Sequence, residues 1–467
     1  MTTALWTAAD MISATGGKTT ADFTATGISI DTRTLKKGEV YIALQGVEKD
    51  GHDYVDAAFK AGAAAAIVRE GFKATGPLLH VADTLKALEA LGIAGRNRAT
   101  GKIIAVTGSA GKTGTKDMLA AMLHAYASKK SYNNHWGVPL SLANLPPDAP
   151  YAIFEMGMNH AGELETLTKM VRPHIALITS IEPVHIEHFP NIEAIADAKA
   201  EVFLGMDENG IAILPHDNPH FERLKKHAEA AGLSTILGFG EEEDADAHMT
   251  HCALHADSSK VSGNIRGQGI SFKLSIPGHH IAMNAIAALL TIDAAGGDIS
   301  RATQALGNLN PPEGRGNRIP IIIEDGAPPL MIVDDSYNAN PASMRAAFSV
   351  LEMVTPQGEG RRIAVLGDML ELGPKGPQIH AELANPLLHA KADILFCCGA
   401  QMDALYNVLP EDWRGAHAKD STALAPLVAE FVKPGDVVLV KGSLGSKMGY
   451  IVHALEQLAV KDARHAV

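Results

Sequence analysis

Short, uniformly apolar runs recur through the middle of the chain: Ile103 to Val106, Ala152 to Phe154, Ile175 to Ile178 and Ile211 to Leu214. Stretches of helical length and period separate them. Apolar runs alternating with helices predict strands buried on both faces, hence a mostly parallel sheet covered by helices. Between about 236 and 276 the pattern turns to GFGEEEDADAHM and then to the alternating SGNIRGQGISFKLSI, which predicts a small antiparallel insertion. The apolar helix HIAMNAIAALLTIDAAG closes this block. Ahead of it, ISIDTRTLKKGEVYIALQG carries short strand-like runs and YVDAAFKAGAAAAIV reads as a helix leading into a strand, a small mixed unit without a Gly-rich loop. Leu309 to Pro320, LNPPEGRGNRIP, breaks both periods and is the expected linker. Beyond it, MIVDD, RIAVLGD, ADILFCCG and DVVLVKG predict four strands of a second doubly wound unit. The expected architecture is α/β in three domains, 1–95, 96–312 and 313–467, the last Rossmann-like.

Composition narrows the partners. The chain has 467 residues, 46% hydrophobic, with a formal net charge of −13. That charge disfavours unspecific adhesion to nucleic acid or anionic lipid, so an anionic ligand needs a local basic pocket. No apolar stretch approaches the roughly 20 residues of a membrane span. MTTALWTAADMISATGG lacks the basic-then-apolar order of a signal peptide. Cys252, Cys397 and Cys398 form no disulfide framework. A cytoplasmic protein, with no nucleic acid partner and no membrane insertion, is expected.

The strongest chemical signal is GKIIAVTGSAGKTGTKDMLAAMLHAY: a strand, a glycine turn, and an amphipathic helix carrying Met118, Leu119, Met122, Leu123 and Tyr126. Gly108 and Gly111 let backbone N–H groups close on oxyanions, the helix dipole favours negative charge, Lys112 reaches terminal phosphates and Thr113 offers a hydroxyl to Mg²⁺. Val106 stands where the standard pattern has glycine, so the loop is a variant.

Acid and base positions follow. YAIFEMGMNHAGE ends a strand at Glu155, where a carboxylate projects over the ligand-bearing edge of an α/β sheet. His185 follows another strand; alone it reads more readily as a loop histidine satisfied by its neighbours than as a ligand. Lys199 lies on an apolar helix stripe with Ile195, Ala196, Val202 and Phe203. It either snorkels to water or is an amine whose charged form burial disfavours.

TGSAGKT, FEMGMNHAGE, SIEPVHIEHF, AKAEVF, HHIAMNAIAA, EGRGNRI, DDSYNANPASM, VLGDMLELG and VKGS occur in this order across almost the whole chain. The set resembles the Mur ligases, and SIDTRTLKKGEVYIALQGVEKDGHDYV is similar to that family's uridine-nucleotide domain. The resemblance implies an ATP-dependent amide ligase of peptidoglycan precursor synthesis. Its third-domain motifs imply joining of D-alanyl-D-alanine to a UDP-N-acetylmuramoyl-tripeptide through an acyl phosphate; a monomer is expected. Gly108, Ser109, Gly111, Lys112, Thr113 and Gly114 would then hold ATP. Thr113, Glu155, His185 and Lys199 would serve two Mg²⁺ ions, Lys199 as a carbamate. The resemblance also implies that Lys112, Lys199, His185 and Glu155 form the catalytic set. Asn284 would read adenine, Arg315 approach the γ-phosphate and Asp335 bond the ribose. Asp31, Arg33, Asn133, Asn134, Asn159 and His160 would hold the muramoyl substrate, with Asn338 and Asn340 near the dipeptide. For these Asn and Asp residues turn chemistry is the competing reading. Two other functions stay open: an amino-acid-adding Mur ligase or folylpolyglutamate synthetase, although DDSYNAN replaces the DNPR-type motif of the former, and an ATP-binding regulator that ligates nothing.

Overall fold

The computed structural model describes residues 4–46, 49–183, 186–255, 257–309 and 314–460. In the first block the short strands Ile28–Ser29, Val40–Ile42, Ala65–Arg69 and Leu78–Val81 form a parallel sheet in chain order, beside a Trp6–Thr7/Thr24–Ala25 ribbon. Helix Thr84–Arg98, capped by Asp83, leads out of this unit. It packs on helix Gly137–Ala143 of the next at backbone distance: a Cβ on Gly95 would lie 2.2 Å from the Leu142 carbonyl oxygen. Trp6 Nε1 donates to the Ala143 carbonyl at 2.8 Å, and the Asn144 amide pairs with both backbone groups of Ile28. These bonds stitch the first block to the second.

Among the described residues the central sheet has nine strands. Lys102–Thr107 lies between Tyr151–Glu155 and Ile175–Ile178, and parallel pairing continues through Ile211–Pro215 to Thr235–Gly240. The predicted antiparallel insertion is not a separate body. Ala247–Leu254 pairs with Thr235–Gly240 in parallel and then with Ser259–Ile265 and Gln268–Leu274 antiparallel, so the hairpins lengthen the same sheet. The helix Lys112–Leu123 stops at His124, φ +50°, so Tyr126 begins a short strand instead of extending the predicted helix face.

Among the described residues the third sheet has six strands, two more than the apolar runs predict. Asn317–Ile321, which begins within the expected linker, is an antiparallel edge strand on Leu330–Asp335. An edge tolerates Pro320 because its missing N–H leaves no interior ladder bond unmade. Arg414–Ala418, at the opposite edge, is half-buried throughout and so lacks an apolar run. On the strand Ile394–Cys398 the alternation of side chains sends Cys397 into one helical layer and Cys398 into the other. Both thiols are buried and their pKa values are pushed up by burial, that of Cys398 to about 12. Among the described residues no helix is long and apolar enough to cross a membrane.

Candidate active site

The phosphate-loop turn leaves the carboxyl end of Lys102–Thr107 and enters helix Lys112–Leu123 through Gly111, φ +82°. Both glycines are forced by neighbours as well as by φ. A Cβ on Gly108, φ +141°, would lie 2.0 Å from Thr179 Oγ1, and one on Gly111 would lie 2.5 Å from Asn284 Nδ2. The loop is pinned to the segment after Ile175–Ile178: Ser109 N donates to the Ser180 carbonyl at 2.9 Å, Ala110 N to Ser180 Oγ at 3.0 Å, and Glu182 N to Ser109 Oγ at 2.9 Å. Ser109 therefore braces the loop through its own amide and hydroxyl. No side chain caps the helix start, which leaves its first N–H groups and positive dipole end for an anion. Gly114 faces open space on that first turn. Lys112 Nζ folds back to the Gly108 carbonyl at 2.7 Å. Burial lowers its pKa, and the charge of Glu155 opposes that shift.

Hard oxygen donors gather beside this turn. Thr113 is buried, its Oγ1 3.3 Å from Ser131 Oγ. Glu155 is 1% exposed; Asn133 Nδ2 donates to its Oε1 at 2.7 Å, while its buried Oε2 has no hydrogen-bond partner among the described residues. A carboxylate oxygen and a threonine hydroxyl, each tied to the same 131–133 segment, are the donor types Mg²⁺ selects. Lys199, 2% exposed on helix Ile192–Ala200, does not snorkel. Burial holds its pKa well below the ordinary lysine value, and the Lys112 charge adds to the effect. His185 lies outside the described residues.

The third sheet faces this edge. Arg315 stacks its guanidinium 4.2 Å from the Tyr337 ring centroid, and its charge reaches Lys112, Asp117 and Asp335. Asp335, the last residue of its strand, accepts from Lys441 Nζ at 2.6 Å. Burial raises the pKa of Asp335, and Lys441 pulls it back. Lys441 also donates to the Asn338 carbonyl at 2.9 Å. Asn284, on helix His279–Ala294, meets the loop at Gly111. Residues from both sides of the linker thus face one turn.

The remaining candidates divide by what already engages them. Asp31 and Arg33 form a forked pair with each other, and Asp31 feels the charge of Lys130 in the second block. Asn133 is committed to Glu155. Asn134 Oδ1 accepts from Trp136 N and Gly137 N, and Asn340 caps helix Pro341–Met353 in a capping box with Ser343, so turn chemistry occupies both side-chain oxygens. Asn159 and His160 are exposed, the backbone of one and the ring of the other bonded to Glu163. Asn338 is exposed. Sequence reasoning passed over Lys441, which ends a strand beside that of Asp335, and Lys116, which looks like a surface lysine of an amphipathic helix.

A glycine turn at the carboxyl edge of a parallel sheet, approached by Arg315 from a second α/β unit, is the arrangement of a multidomain α/β protein with its candidate site between units. Family models agree: the Mur ligase middle domain matches residues 106–292, the Mur ligase glutamate ligase domain 317–444, and the Mur ligase family catalytic domain 24–123. The chain belongs to the Mur ligase family. It is 31% identical over 454 residues to a UDP-N-acetylmuramoyl-tripeptide–D-alanyl-D-alanine ligase of Rickettsia prowazekii, covering 96% of this chain and 99% of the relative. The Escherichia coli ligase of the same name is 32% identical, covering 94% and 95%. Among solved structures, MurF from Acinetobacter baumannii superposes with TM-score 0.82 at 29% identity, covering 97% of this chain and 99% of that one. Thermotoga maritima MurF in complex with ADP gives 0.75 at 26% identity, covering 92% and 97%.

Proposed function

We propose that this chain uses ATP to join D-alanyl-D-alanine to the terminal carboxylate of UDP-N-acetylmuramoyl-tripeptide, a step of peptidoglycan precursor synthesis. The observation that carries the reading is the pinned glycine turn set against the unpartnered oxygen of Glu155, in a chain alike from end to end to ligases of that name. The three blocks, divided near 95 and 312, take the uridine nucleotide, ATP and the dipeptide in turn.

Phosphoryl transfer to a carboxylate leaves little covalent work to side chains, so positioning and charge neutralisation dominate. The amides of Lys112 to Gly114 cradle the phosphates, and Lys112 swings from the Gly108 carbonyl to the β/γ oxygens. Mg²⁺, when bound, would neutralise phosphate charge, and Thr113, Glu155, Lys199 and His185 are the residues that would hold it. Burial favours the neutral Lys199 amine, which would add CO₂ and release a proton to give a carbamate, an oxygen donor for the metal. Asn284 reads the base, Asp335 the ribose, and Arg315 the γ-phosphate. Carboxylate attack on that phosphate expels ADP; the dipeptide amine then displaces phosphate from the acyl phosphate. Asp31, Arg33, Asn159 and His160 lie on the muramoyl side and Asn338 and Asn340 on the dipeptide side. Phosphate release, assayed with each substrate omitted in turn, tests the reading. Release requiring ATP, the UDP-tripeptide and D-alanyl-D-alanine together is expected; ATP turnover indifferent to the other two identifies a nucleotide-binding protein of another kind.

A further inference from the structure

Lys116 is the largest fully buried side chain of the described residues, 2% exposed, yet it carries an ammonium group. It stands one helical turn past Lys112 on the phosphate-loop helix. An ammonium has three N–H donors, and a buried one is costly unless each finds an acceptor. Lys116 Nζ has three: the Ser128 carbonyl at 2.9 Å, the Lys130 carbonyl at 2.7 Å and Asp117 Oδ1 at 3.0 Å. Two of these are backbone atoms of an irregular segment that lies across the helix. The lysine therefore clamps a strap.

The strap carries the groups that set the proposed metal ligands. Ser131 Oγ lies 3.3 Å from Thr113 Oγ1, and Asn133 Nδ2 holds Glu155 Oε1 at 2.7 Å. Ser128 Oγ accepts from Glu155 N, Ser128 N donates to the Ile153 carbonyl, and Gly157 N donates to the Asn133 carbonyl. Thr113 sits on the clamped helix itself, three residues before Lys116. Both oxygen donors are thus tied to one segment, and Lys116 ties that segment to the helix that carries Thr113.

We propose that Lys116 is a positioning residue for this reaction: by gripping the strap at Ser128 and Lys130 it fixes the spacing between the Thr113 hydroxyl and the Glu155 carboxylate, and so sets affinity and selectivity for the divalent cation on ATP. The proposal rests on the ATP-dependent ligase reading above. Lys116→Met removes the charge and all three donors at similar length; Lys116→Arg keeps charge and donors on a longer, forked head. Outer-sphere partners of metal ligands typically change metal affinity by about tenfold or more. In titrations of the full chain with a non-hydrolysable ATP analogue, the Mg²⁺ concentration giving half-maximal binding is expected to rise by about tenfold in Lys116→Met, with Lys116→Arg between it and wild type. Turnover should fall while the KM for D-alanyl-D-alanine, read on the third block, stays within about twofold, and Mn²⁺ should recover more activity in the variants than in wild type. Far-UV circular dichroism confirms the fold; if Lys116→Met is unfolded, Lys116→Arg is read alone against wild type. Variants that match wild type in Mg²⁺ dependence overturn the proposal, as does a uniform loss of Mg²⁺ binding, dipeptide KM and stability without any change in metal preference. A wild-type chain that shows no Mg²⁺-dependent nucleotide binding instead overturns the ligase reading, so the two failures are distinct.

Discussion

Replacing Gly111 by alanine sets two penalties in one residue, and they can be separated. At φ +82° a Cβ incurs the left-handed penalty of about 1–2 kcal/mol, whatever surrounds it. The same Cβ would stand 2.5 Å from Asn284 Nδ2 and 3.1 Å from its Cγ and Oδ1, well inside contact distance. Forcing an extra carbon into a packed site adds about 1–3 kcal/mol, so Gly111→Ala should destabilise the apo chain by about 2–5 kcal/mol. In an Asn284→Ala background the obstructing amide is gone, and the cost of the same substitution should fall to about 1–2 kcal/mol, a coupling of about 1–3 kcal/mol. Urea unfolding of the four proteins, followed by far-UV circular dichroism, gives this cycle directly. An equal cost in both backgrounds would refute the claim that Asn284 presses on the turn, and with it the spacing between base and phosphates. Nucleotide titration of Gly111→Ala adds a second check, because a displaced Asn284 should weaken ATP binding more than its triphosphate contacts alone explain.

Two further outcomes are expected. Glu155→Gln keeps an oxygen for Asn133 but places an amide where the unpartnered oxygen stands. Mg²⁺ at 100 times its dissociation constant should stabilise the wild-type ADP complex by about 2.7 kcal/mol and the variant by almost nothing in thermal unfolding; an equal gain in both places the metal elsewhere. His380, fully buried in the third block, accepts from Met369 N at 2.9 Å and donates to the Gly376 carbonyl at 2.7 Å, which requires the neutral ring. Burial lowers its pKa from 6.5, so the unfolded chain takes up the proton first: stability is complete above about 6.5 and is lost as pH falls toward the folded-state value. His380→Leu should flatten that slope while costing about 1–3 kcal/mol near pH 8, since Met369 N–H and the Gly376 carbonyl lose their partner. A wild-type unfolding midpoint that is level with pH from 8 to 5 would contradict this account.

What the chain discloses before folding depends on whether a contact is written in side-chain identity. TGSAGKT is legible as a glycine turn between a strand and a helix, because no side chain fits at Gly108 or Gly111, and Glu155 is legible as the end of an apolar run. Lys199 is half legible: its apolar neighbours mark the helix face, but only packing decides between snorkelling and burial. Lys116 is illegible, since its main partners are carbonyls 12 and 14 residues away and a carbonyl has no signature in sequence. Strand Arg414–Ala418 hides for a related reason, being half-buried and held by ladder bonds to Ile394–Cys398 rather than by an apolar face. Asn340 was readable as a cap, because Asn-Pro with Ser three residues on is a helix-start signature. Family likeness draws attention to the same asparagine as a ligand, and the fold engages its oxygen at the helix start.

The opposed directions of Cys397 and Cys398 bear on how the protein meets electrophiles. Sealed in separate layers, with the thiol form strongly favoured in each, neither offers a thiolate to peroxide or an alkylating reagent. Cys252, half-buried on the outer hairpins and itself shifted toward the protonated form, stands well outside the phosphate turn. Covalent inhibitor campaigns against this chain therefore gain little from cysteine warheads, and turnover should persist through oxidative stress that silences thiol-dependent enzymes.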